Sequence, residues 1–255
     1  QRVKYLEIAS LPLSAQRRAP GGDQARALAN YNVGVVFVLD TTQSMQPYID
    51  QVQDAVESIR RKIADGPEGQ RVRFGLVGFR NNIKLRPNLQ YVTKTFLKLD
   101  KNSTAADFLN AIKTMKAART SSSSFDEDSI AGVESAIDDM DWDGIGGRYI
   151  VLVTDAGPRP PGPDSQQGSL AIPELNSRAR EKGIAIETLH LKTEQGGFDH
   201  DFAEQQYRKL SDFGPHDQLY HGIDAGDAQA FRQSVDQIGT SLAQQISETI
   251  QGHLS

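Results

Sequence analysis

The segment VVFVLDTTQSM, residues 35–45, joins a run of apolar residues to a cluster of oxygen-bearing side chains. The apolar run stops at Asp40, and hydroxyl groups follow at Thr42 and Ser44. A continuous apolar run is typical of a parallel strand that is covered on both faces. Open parallel sheets bind ligands outside the carboxyl ends of their strands. The segment therefore predicts a fold and also the place of a site.

Apolar strands and amphipathic helices alternate along the rest of the chain. The first helix follows Pro47 and places apolar residues from Ile49 to Ile63 at steps of three and four, which form one helical face. Residues 90–98 alternate in polarity and suit an edge strand that could be antiparallel. Further strands are expected at residues 72–79, 148–154, 183–191 and 218–221, and further helices at residues 104–116, 129–140, 202–210 and 225–252 and from residue 173.

This alternation predicts the α/β fold class, with a doubly wound, mostly parallel sheet that carries helices on both faces. We expect one such domain over residues 31–255. Residues 1–30 are expected to form an N-terminal extension. Within it, residues 3–8 suit an edge strand, and residues 11–23, with two prolines and two glycines, suit a linker.

The composition excludes several classes of function. The 255 residues carry a formal net charge of −5, so neither nucleic acid nor an anionic membrane surface is an expected partner. The chain has no cysteine, which excludes disulfides, thiolate catalysis and cysteine-ligated zinc. No apolar run approaches the length that crosses a membrane. Because the chain starts at Gln1 rather than Met, we expect a fragment of a longer protein, with any membrane anchor outside it.

Five oxygen-bearing residues are expected to meet at the carboxyl edge of the sheet. Asp40 and Asp155 each follow a predicted buried strand, and these two strands are expected to be neighbours. Thr42, Ser44 and Asp126, the last in a loop of serines and acids, can reach the same edge. Hard cations prefer oxygen ligands, so the set predicts a divalent-metal site for Mg²⁺, with Mn²⁺ or Ca²⁺ as alternatives.

Alternative roles for these residues stay open. Thr42 or Ser44 could cap the helix that starts near Pro47. A carboxylate at a strand end could also accept a phosphoryl group, although Thr42 stands where such enzymes place a second acid. The sequence DHD, residues 199–201, could ligate a transition metal, but a solvated histidine is the simpler interpretation. His190 is expected to pack within a strand.

Two motifs resemble those of von Willebrand factor type A domains. DTTQS, residues 40–44, resembles the Asp-x-Ser-x-Ser signature of the metal-ion-dependent adhesion site in that family, and VTDAG, residues 153–157, resembles the third loop of the site. The resemblance covers nearly all of the chain after residue 30. It implies a non-catalytic, protein-binding module. In it Thr42 and Ser44 would ligate the ion directly, and Asp40 and Asp155 would bind it directly or through water.

Three longer segments are similar to the C-terminal domain of bacterial threonine kinases associated with type VI secretion: LDTTQSMQPYID, FDEDSIAGVESAI and GGRYIVLVTDAG. This similarity implies a regulatory domain whose kinase domain is outside this fragment. It also implies a periplasmic location after a membrane segment, with the cytoplasm as the alternative. The implied partners are proteins, either secretion-system components or its own kinase chain. A homodimer through the long last helix is a further alternative.

The sequence departs from the family pattern at two places. Thr42 replaces the first serine but keeps a hydroxyl group. The second loop of the site, SSSSFDED at residues 121–128, offers no clear threonine. Asp126 is therefore the preferred candidate there, and Asp128 and Ser124 stay open. Three carboxylates would make the centre net negative, which predicts a structural or regulatory site that attracts an acidic partner less. The alternative is a metal-free interaction or dimerisation scaffold with a degenerate site.

Overall fold

A computed structural model describes residues 31–254 except for residues 67–68, 85, 123, 161–169, 215–218 and 225–227. The strands are β1 (Asn32–Asp40), β2 (Val72–Phe79), β3 (Thr93–Leu97), β4 (Ile145–Thr154), β5 (Ile184–Lys192) and β6 (Tyr220–Asp224). The helices are α1 (Ile49–Ala64), α2 (Ala105–Thr114), α3 (Ser129–Asp138), α4 (Ile172–Glu181), α5 (His200–Leu210) and α6 (Ala228–Leu254).

The strands form one sheet in the order β3-β2-β1-β4-β5-β6. Strand β1 pairs in parallel with β2 on one side and with β4 on the other, and β3 is an antiparallel edge strand. The chain first builds outward on one side of β1 and then crosses to the other side at β4. The strand order therefore reverses between β1 and β4, which is where open α/β sheets bind ligands.

Alternate residues of β1 pack against opposite layers of the fold. Val35, Phe37 and Leu39 belong to an apolar cluster that includes residues of α1, α2 and α6. Val36 and Val38 belong to a second cluster that includes residues of α3, α4 and α5. Each such fully buried side chain contributes about 1.5–3 kcal/mol relative to an exposed one. This double coverage explains why β1 has an unbroken apolar sequence.

Helix α3 approaches the sheet closely because Gly132 has no side chain. A Cβ atom at Gly132 would lie 2.9 Å from Phe79 Cδ1 and 2.9 Å from Val38 Cγ1, which real Cβ contacts do not allow. The loop before α3 carries Asp126. The close packing of α3 therefore sets the height of that loop above the carboxyl edge of β1 and β2.

The predicted fold class is confirmed, and several boundaries differ from the prediction. Strand β4 begins at Ile145 rather than at residue 148, so part of the GIGGR segment belongs to the strand. On α6, Ile238, Leu242 and Ile246 follow one another at steps of four residues and are buried. The predicted extension over residues 1–30 also lies outside the described residues, so the domain boundary stays a prediction. No described helix is long and apolar enough to cross a membrane.

A pair of histidines links β5 to the start of α5. His200 Nε2 lies 2.7 Å from the carbonyl oxygen of Thr193, which can only accept, so this nitrogen carries a proton. Nδ1 of a neutral His200 then accepts from His190 Nε2 at 3.3 Å, and His190 Nδ1 accepts from the Tyr220 hydroxyl at 2.8 Å. The expectation that His190 packs within a strand is confirmed. The expectation of a solvated His200 is wrong, because its ring is partly buried and both nitrogens have partners.

We predict that His190 makes the stability of the domain depend on pH. Burial, and then the neighbouring His200 and Lys192, lower the pKa of His190 from 6.5 to about 4. The unfolded chain accepts a proton that the folded chain resists, so this stabilisation is full above about pH 6.5 and is lost as the pH falls towards about 4. Linkage limits its size to about 3 kcal/mol.

Urea unfolding of wild type and His190→Gln at about pH 7.5 and about pH 5 measures this contribution. Between the two pH values, wild type should lose more free energy of unfolding than the variant, whose side chain does not titrate. Equal losses in the two proteins would contradict the prediction.

Candidate metal centre

Asp40 forms the centre of the predicted site and has no solvent-exposed surface. Its Oδ1 atom accepts hydrogen bonds from the backbone N–H of Thr42 at 2.8 Å and from the Thr42 hydroxyl at 2.7 Å. Its Oδ2 atom accepts from the hydroxyl of Thr154, the last residue of β4, at 2.9 Å. Asp40 therefore ties the loop after β1 to the end of the neighbouring strand.

Two hydroxyl groups connect Asp40 to Asp155. The oxygens of Thr42 and Ser44 lie 3.0 Å apart, and the Ser44 hydroxyl lies 3.0 Å from Asp155 Oδ1. Four of the five predicted residues, Asp40, Thr42, Ser44 and Asp155, are thus placed in one continuous chain of contacts. The second oxygen of Asp155, Oδ2, is buried and has no hydrogen-bond partner.

The electrostatics of these four contacting side chains favour either a bound proton or a bound cation. Burial raises the pKa of Asp40. Burial, and then the charge of Asp40, raise the pKa of Asp155 to about 8. When Asp155 is protonated, its carboxyl group can donate to Ser44, Ser44 can donate to Thr42, and Thr42 donates to Asp40. If both carboxyl groups are ionised, the two hydroxyls donate to them, and their lone pairs face each other across 3.0 Å.

This arrangement fits a hard divalent cation. All four side chains offer oxygen, which is the donor that Mg²⁺, Mn²⁺ and Ca²⁺ prefer. Two buried carboxylates would supply two negative charges, and Asp155 Oδ2 is an unsatisfied acceptor beside them. Within the described residues, no three Asp, Glu or His side chains are grouped closely enough to hold a metal by themselves. The predicted ligand set therefore adds the hydroxyls of Thr42 and Ser44 to the two carboxyl groups.

The second loop places Asp126 differently from the other four predicted residues. Its carboxylate faces the guanidinium group of Arg159 at 3.6 Å, and its carbonyl oxygen accepts from the side-chain amide of Asn81 at 2.8 Å. Arg159 also lies 3.3 Å from the carboxylate of Asp128. Asp126 makes no hydrogen bond to Asp40 or Asp155 in the described structure. A ligand role for Asp126 stays a prediction.

Glu127 is the acid of the second loop whose pKa is affected by the charges of Asp40 and Asp155. Its carboxyl group is buried and accepts hydrogen bonds from Asn81 Nδ2 and from the Ser122 hydroxyl. Burial, then the charge of Asp40, and to a smaller extent that of Asp155, raise the pKa of Glu127 well above its usual value. Sequence reasoning missed Glu127. Asp126, Glu127 and Asp128 are consecutive, and the sequence does not indicate which of the three carboxyl groups points into the protein.

Arg80 is a second residue that sequence reasoning missed, and it orders the loops around the site. Its guanidinium group donates to the carbonyl oxygens of Thr41, Leu89 and Lys116, at 3.2, 2.7 and 2.9 Å. It also lies over the ring of Tyr91, with 4.2 Å between the guanidinium carbon and the ring centroid. Arg80 directly follows β2, and a charged residue at the end of a buried strand is the sequence feature that could have indicated its role near the site.

Tyr207 of α5 and Asp199, the residue before α5, both make hydrogen bonds to the loop that carries Asp155. The fully buried hydroxyl of Tyr207 donates to the carbonyl oxygen of Ala156 at 2.7 Å. The carboxylate of Asp199 accepts from the backbone N–H of Gly157 at 2.5 Å. A parallel bridge then joins Glu127 to Pro158, so the second and third loops are paired through their backbones. The position of Asp155 is thereby fixed from both sides.

Solved structures share this fold at low sequence identity. The pilus adhesin SpaC from Lactobacillus rhamnosus GG, in its open conformation, matches with a TM-score of 0.59 and 15% identity over 84% of this chain and 30% of the adhesin. Proximal thread matrix protein 1 from the mussel byssus, with a zinc-occupied MIDAS motif, matches with a TM-score of 0.58 and 15% identity over 84% of this chain and 46% of that protein. The SpRpn10 VWA domain matches with a TM-score of 0.52 and 16% identity over 81% of this chain and 95% of that domain.

The adhesin and the byssus protein are more than twice as long as the part that matches this chain, so the comparison with them concerns one domain. At these identities the likeness shows the fold alone. No relative is found among curated proteins. The sequence itself matches the family described as von Willebrand factor type A domain over residues 34–218, which is most of the chain. This match, on a sheet of the order described above, shows that the chain belongs to the von Willebrand factor type A domain family.

Proposed function

We propose that this domain is a non-catalytic protein-binding module whose binding surface is organised by a divalent cation. The observation that carries the proposal is the contact chain Asp40–Thr42–Ser44–Asp155, which ends in a buried oxygen without a partner. Domains of this family are typically interaction domains, and one structural neighbour carries zinc at its MIDAS motif. Mg²⁺ is the proposed ion, with Mn²⁺ or Ca²⁺ as alternatives.

The four residues that contact one another at the site have distinct roles in this proposal. Asp40 and Asp155 supply the negative charge, and Thr42 and Ser44 supply neutral oxygens between them. Thr154 orients Asp40 through its hydrogen bond at 2.9 Å. The bound cation would supply a positive charge at the rim that a partner carboxylate or carbonyl can approach. Because Arg159 faces Asp126, the excess negative charge expected from a third acid is partly balanced.

The biological setting is a further part of the proposal and rests on sequence resemblance. The domain would be the C-terminal regulatory part of a threonine kinase associated with type VI secretion. It would lie in the periplasm, with the cytoplasm as the alternative location. Its partners would be secretion-system proteins or its own kinase chain.

A phosphoryl-transfer role for Asp40 has less support. A nucleophilic carboxylate must be reachable by its substrate. Asp40 is fully buried, and both of its oxygens already accept hydrogen bonds. The competing function is therefore a metal-free interaction or dimerisation scaffold, in which the same hydrogen bonds only stabilise the loops.

We predict that divalent metal stabilises the wild-type domain and does not stabilise Asp40→Asn. At about a hundred times its dissociation constant, a bound ion adds about 2.7 kcal/mol, which for this size of domain raises Tm by about 5–10 °C. Thermal unfolding of metal-stripped protein with and without Mg²⁺, Mn²⁺ or Ca²⁺ measures the shift. Asp50→Asn is the matched control, since Asp50 is exposed in the first turn of α1 and should leave the shift unchanged. No shift in wild type would favour the metal-free scaffold.

We also predict that metal affinity rises with pH until about pH 8. The pKa of Asp155 is raised to about 8, mainly by burial, so a cation that binds below that pH must displace a proton. Affinity should fall up to about tenfold for each pH unit below that value. The same raised pKa means that the metal-free protein loses stability from Asp155 as the pH rises from about 4 to about 8.

Calorimetric titration with Mg²⁺ in two buffers of different ionisation enthalpy measures the released proton directly. Wild type should release close to one proton per ion at about pH 6.5. An affinity that does not change between about pH 6 and about pH 8 would contradict the account of the raised pKa.

Variants at Glu127 and Asp126 distinguish which acid of the second loop contributes to Mg²⁺ affinity. Glu127→Gln should weaken Mg²⁺ binding by about tenfold, because burial and the charges of Asp40 and Asp155 raise the pKa of Glu127, and a cation that offsets these charges would let Glu127 ionise and add a third negative charge near the site. Asp126→Asn, which alters an acid paired with Arg159, should weaken it much less. The Mg²⁺ dissociation constants of both variants test this. A larger loss in Asp126→Asn would restore Asp126 as the ligand that the sequence suggests.

A further inference from the structure

Phe198 and Phe202 are the large apolar side chains that lie most open to solvent in the described structure. Phe198 is 79% exposed and Phe202 is 43% exposed. Both stand at the beginning of α5, four residues apart, and they contribute little to either apolar cluster of the fold. Exposing large apolar side chains to water is unfavourable, so exposed aromatic residues that lie close in the chain often mark a contact surface.

The second loop supplies a platform for Phe198. The ring of Phe125 meets the ring of Phe198 edge-on, with 5.3 Å between centroids. Phe125 in turn lies across Gly196, where a Cβ atom would come within 2.9 Å of its Cζ atom. We call Phe125, Phe198 and Phe202 the aromatic patch. Edge-to-face packing holds Phe198 in a defined position although most of its surface faces water.

Acidic residues flank Phe198 and Phe202 along the chain. Glu194 and Asp201 are exposed, and Asp199 is partly exposed. The segment from Thr193 to Ala203 contains no lysine or arginine. No ion pair joins Glu194 or Asp201 to a basic residue in the described structure. The patch therefore combines apolar surface with exposed acidic side chains, which favours basic partners over anionic lipid and nucleic acid.

The aromatic patch borders the candidate metal centre. Asp199, which lies next to Phe198, accepts the hydrogen bond from the backbone N–H of Gly157, two residues after Asp155. Phe125 lies next to Asp126 and two residues before Glu127. The patch and the site are thus built on the same two loops, and one partner could contact both.

We propose that the aromatic patch is a docking surface for a protein segment that presents an apolar side chain flanked by lysine or arginine. The apolar side chain would lie against Phe198 and Phe202, and the basic residues would approach Glu194 and Asp201. This contact supplies the partner class for the binding module proposed above. It requires no cation, because none of these side chains belongs to the proposed ligand set.

Selection from a random 12-residue peptide library displayed on phage, with the purified domain as target, tests the proposal. Selected peptides are then synthesised, and their affinities are measured for wild type, for Phe198→Ser/Phe202→Ser and for Glu194→Gln/Asp201→Asn, each with Mg²⁺ and with EDTA. The exposed side chains of the patch allow these substitutions without loss of core packing. Gln251→Ser, on the exposed side of α6, is the control variant.

The expected peptides carry an apolar residue beside basic residues and bind wild type and Gln251→Ser equally, with or without Mg²⁺. Both patch variants should weaken binding by at least tenfold, and added salt should weaken it in wild type. Peptides without this pattern, peptides that bind the patch variants normally, or a selection that enriches no peptide would overturn the proposal. Binding that needs Mg²⁺ but not the patch would overturn it and leave the metal-dependent function standing.

A vesicle experiment covers the other class of partner. The domain should not sediment with phosphatidylcholine vesicles or with vesicles that contain anionic lipid. Sedimentation that disappears in Phe198→Ser/Phe202→Ser would assign the patch to a membrane surface instead and would overturn the proposal.

Discussion

The site depends on one constraint, which is that Asp40 and Asp155 are buried side by side at the ends of adjacent parallel strands. Two buried, ionised carboxyl groups in that position repel each other and are poorly solvated, which favours a bound proton or a bound cation there. The hydroxyls of Thr42, Ser44 and Thr154 distribute the negative charge but do not cancel it. The residues around the site keep these groups in place whichever positive charge is bound.

Hydrogen bonds from several elements hold the loops around the site. Arg80 donates to three carbonyl oxygens, and Tyr207 and Asp199 hold the loop after β4. The bridge between Glu127 and Pro158 joins the second loop to the third. A partner that contacts the aromatic patch would therefore act on loops that also carry Asp155 and Glu127. This shared support places the two proposed binding surfaces next to each other on the same loops.

The sequence alone predicted the sheet, its parallel character and the meeting of Asp40 and Asp155, because an unbroken apolar run that ends in a carboxylate suits few structures besides a buried strand at a ligand-binding edge. The alternating positions also predicted that Thr42 and Ser44 lie beside these two acids, and their role as metal ligands stays a prediction. The sequence alone favoured Asp126 in the second loop and did not single out Glu127, whose contact with Asn81 joins residues that are distant in the chain. It also failed for His200, whose partner His190 becomes a neighbour only when β5 and α5 pack together.

The central claim is that a divalent cation binds between Asp40 and Asp155, and anomalous X-ray scattering tests it most directly. Crystals of the domain grown with saturating Mn²⁺ would be measured near the manganese absorption edge. The account predicts one strong anomalous peak within bonding distance of Thr42 and Ser44, with Asp40 and Asp155 bound directly or through water. A well-ordered site without a peak, or with the peak elsewhere on the domain, would contradict the account.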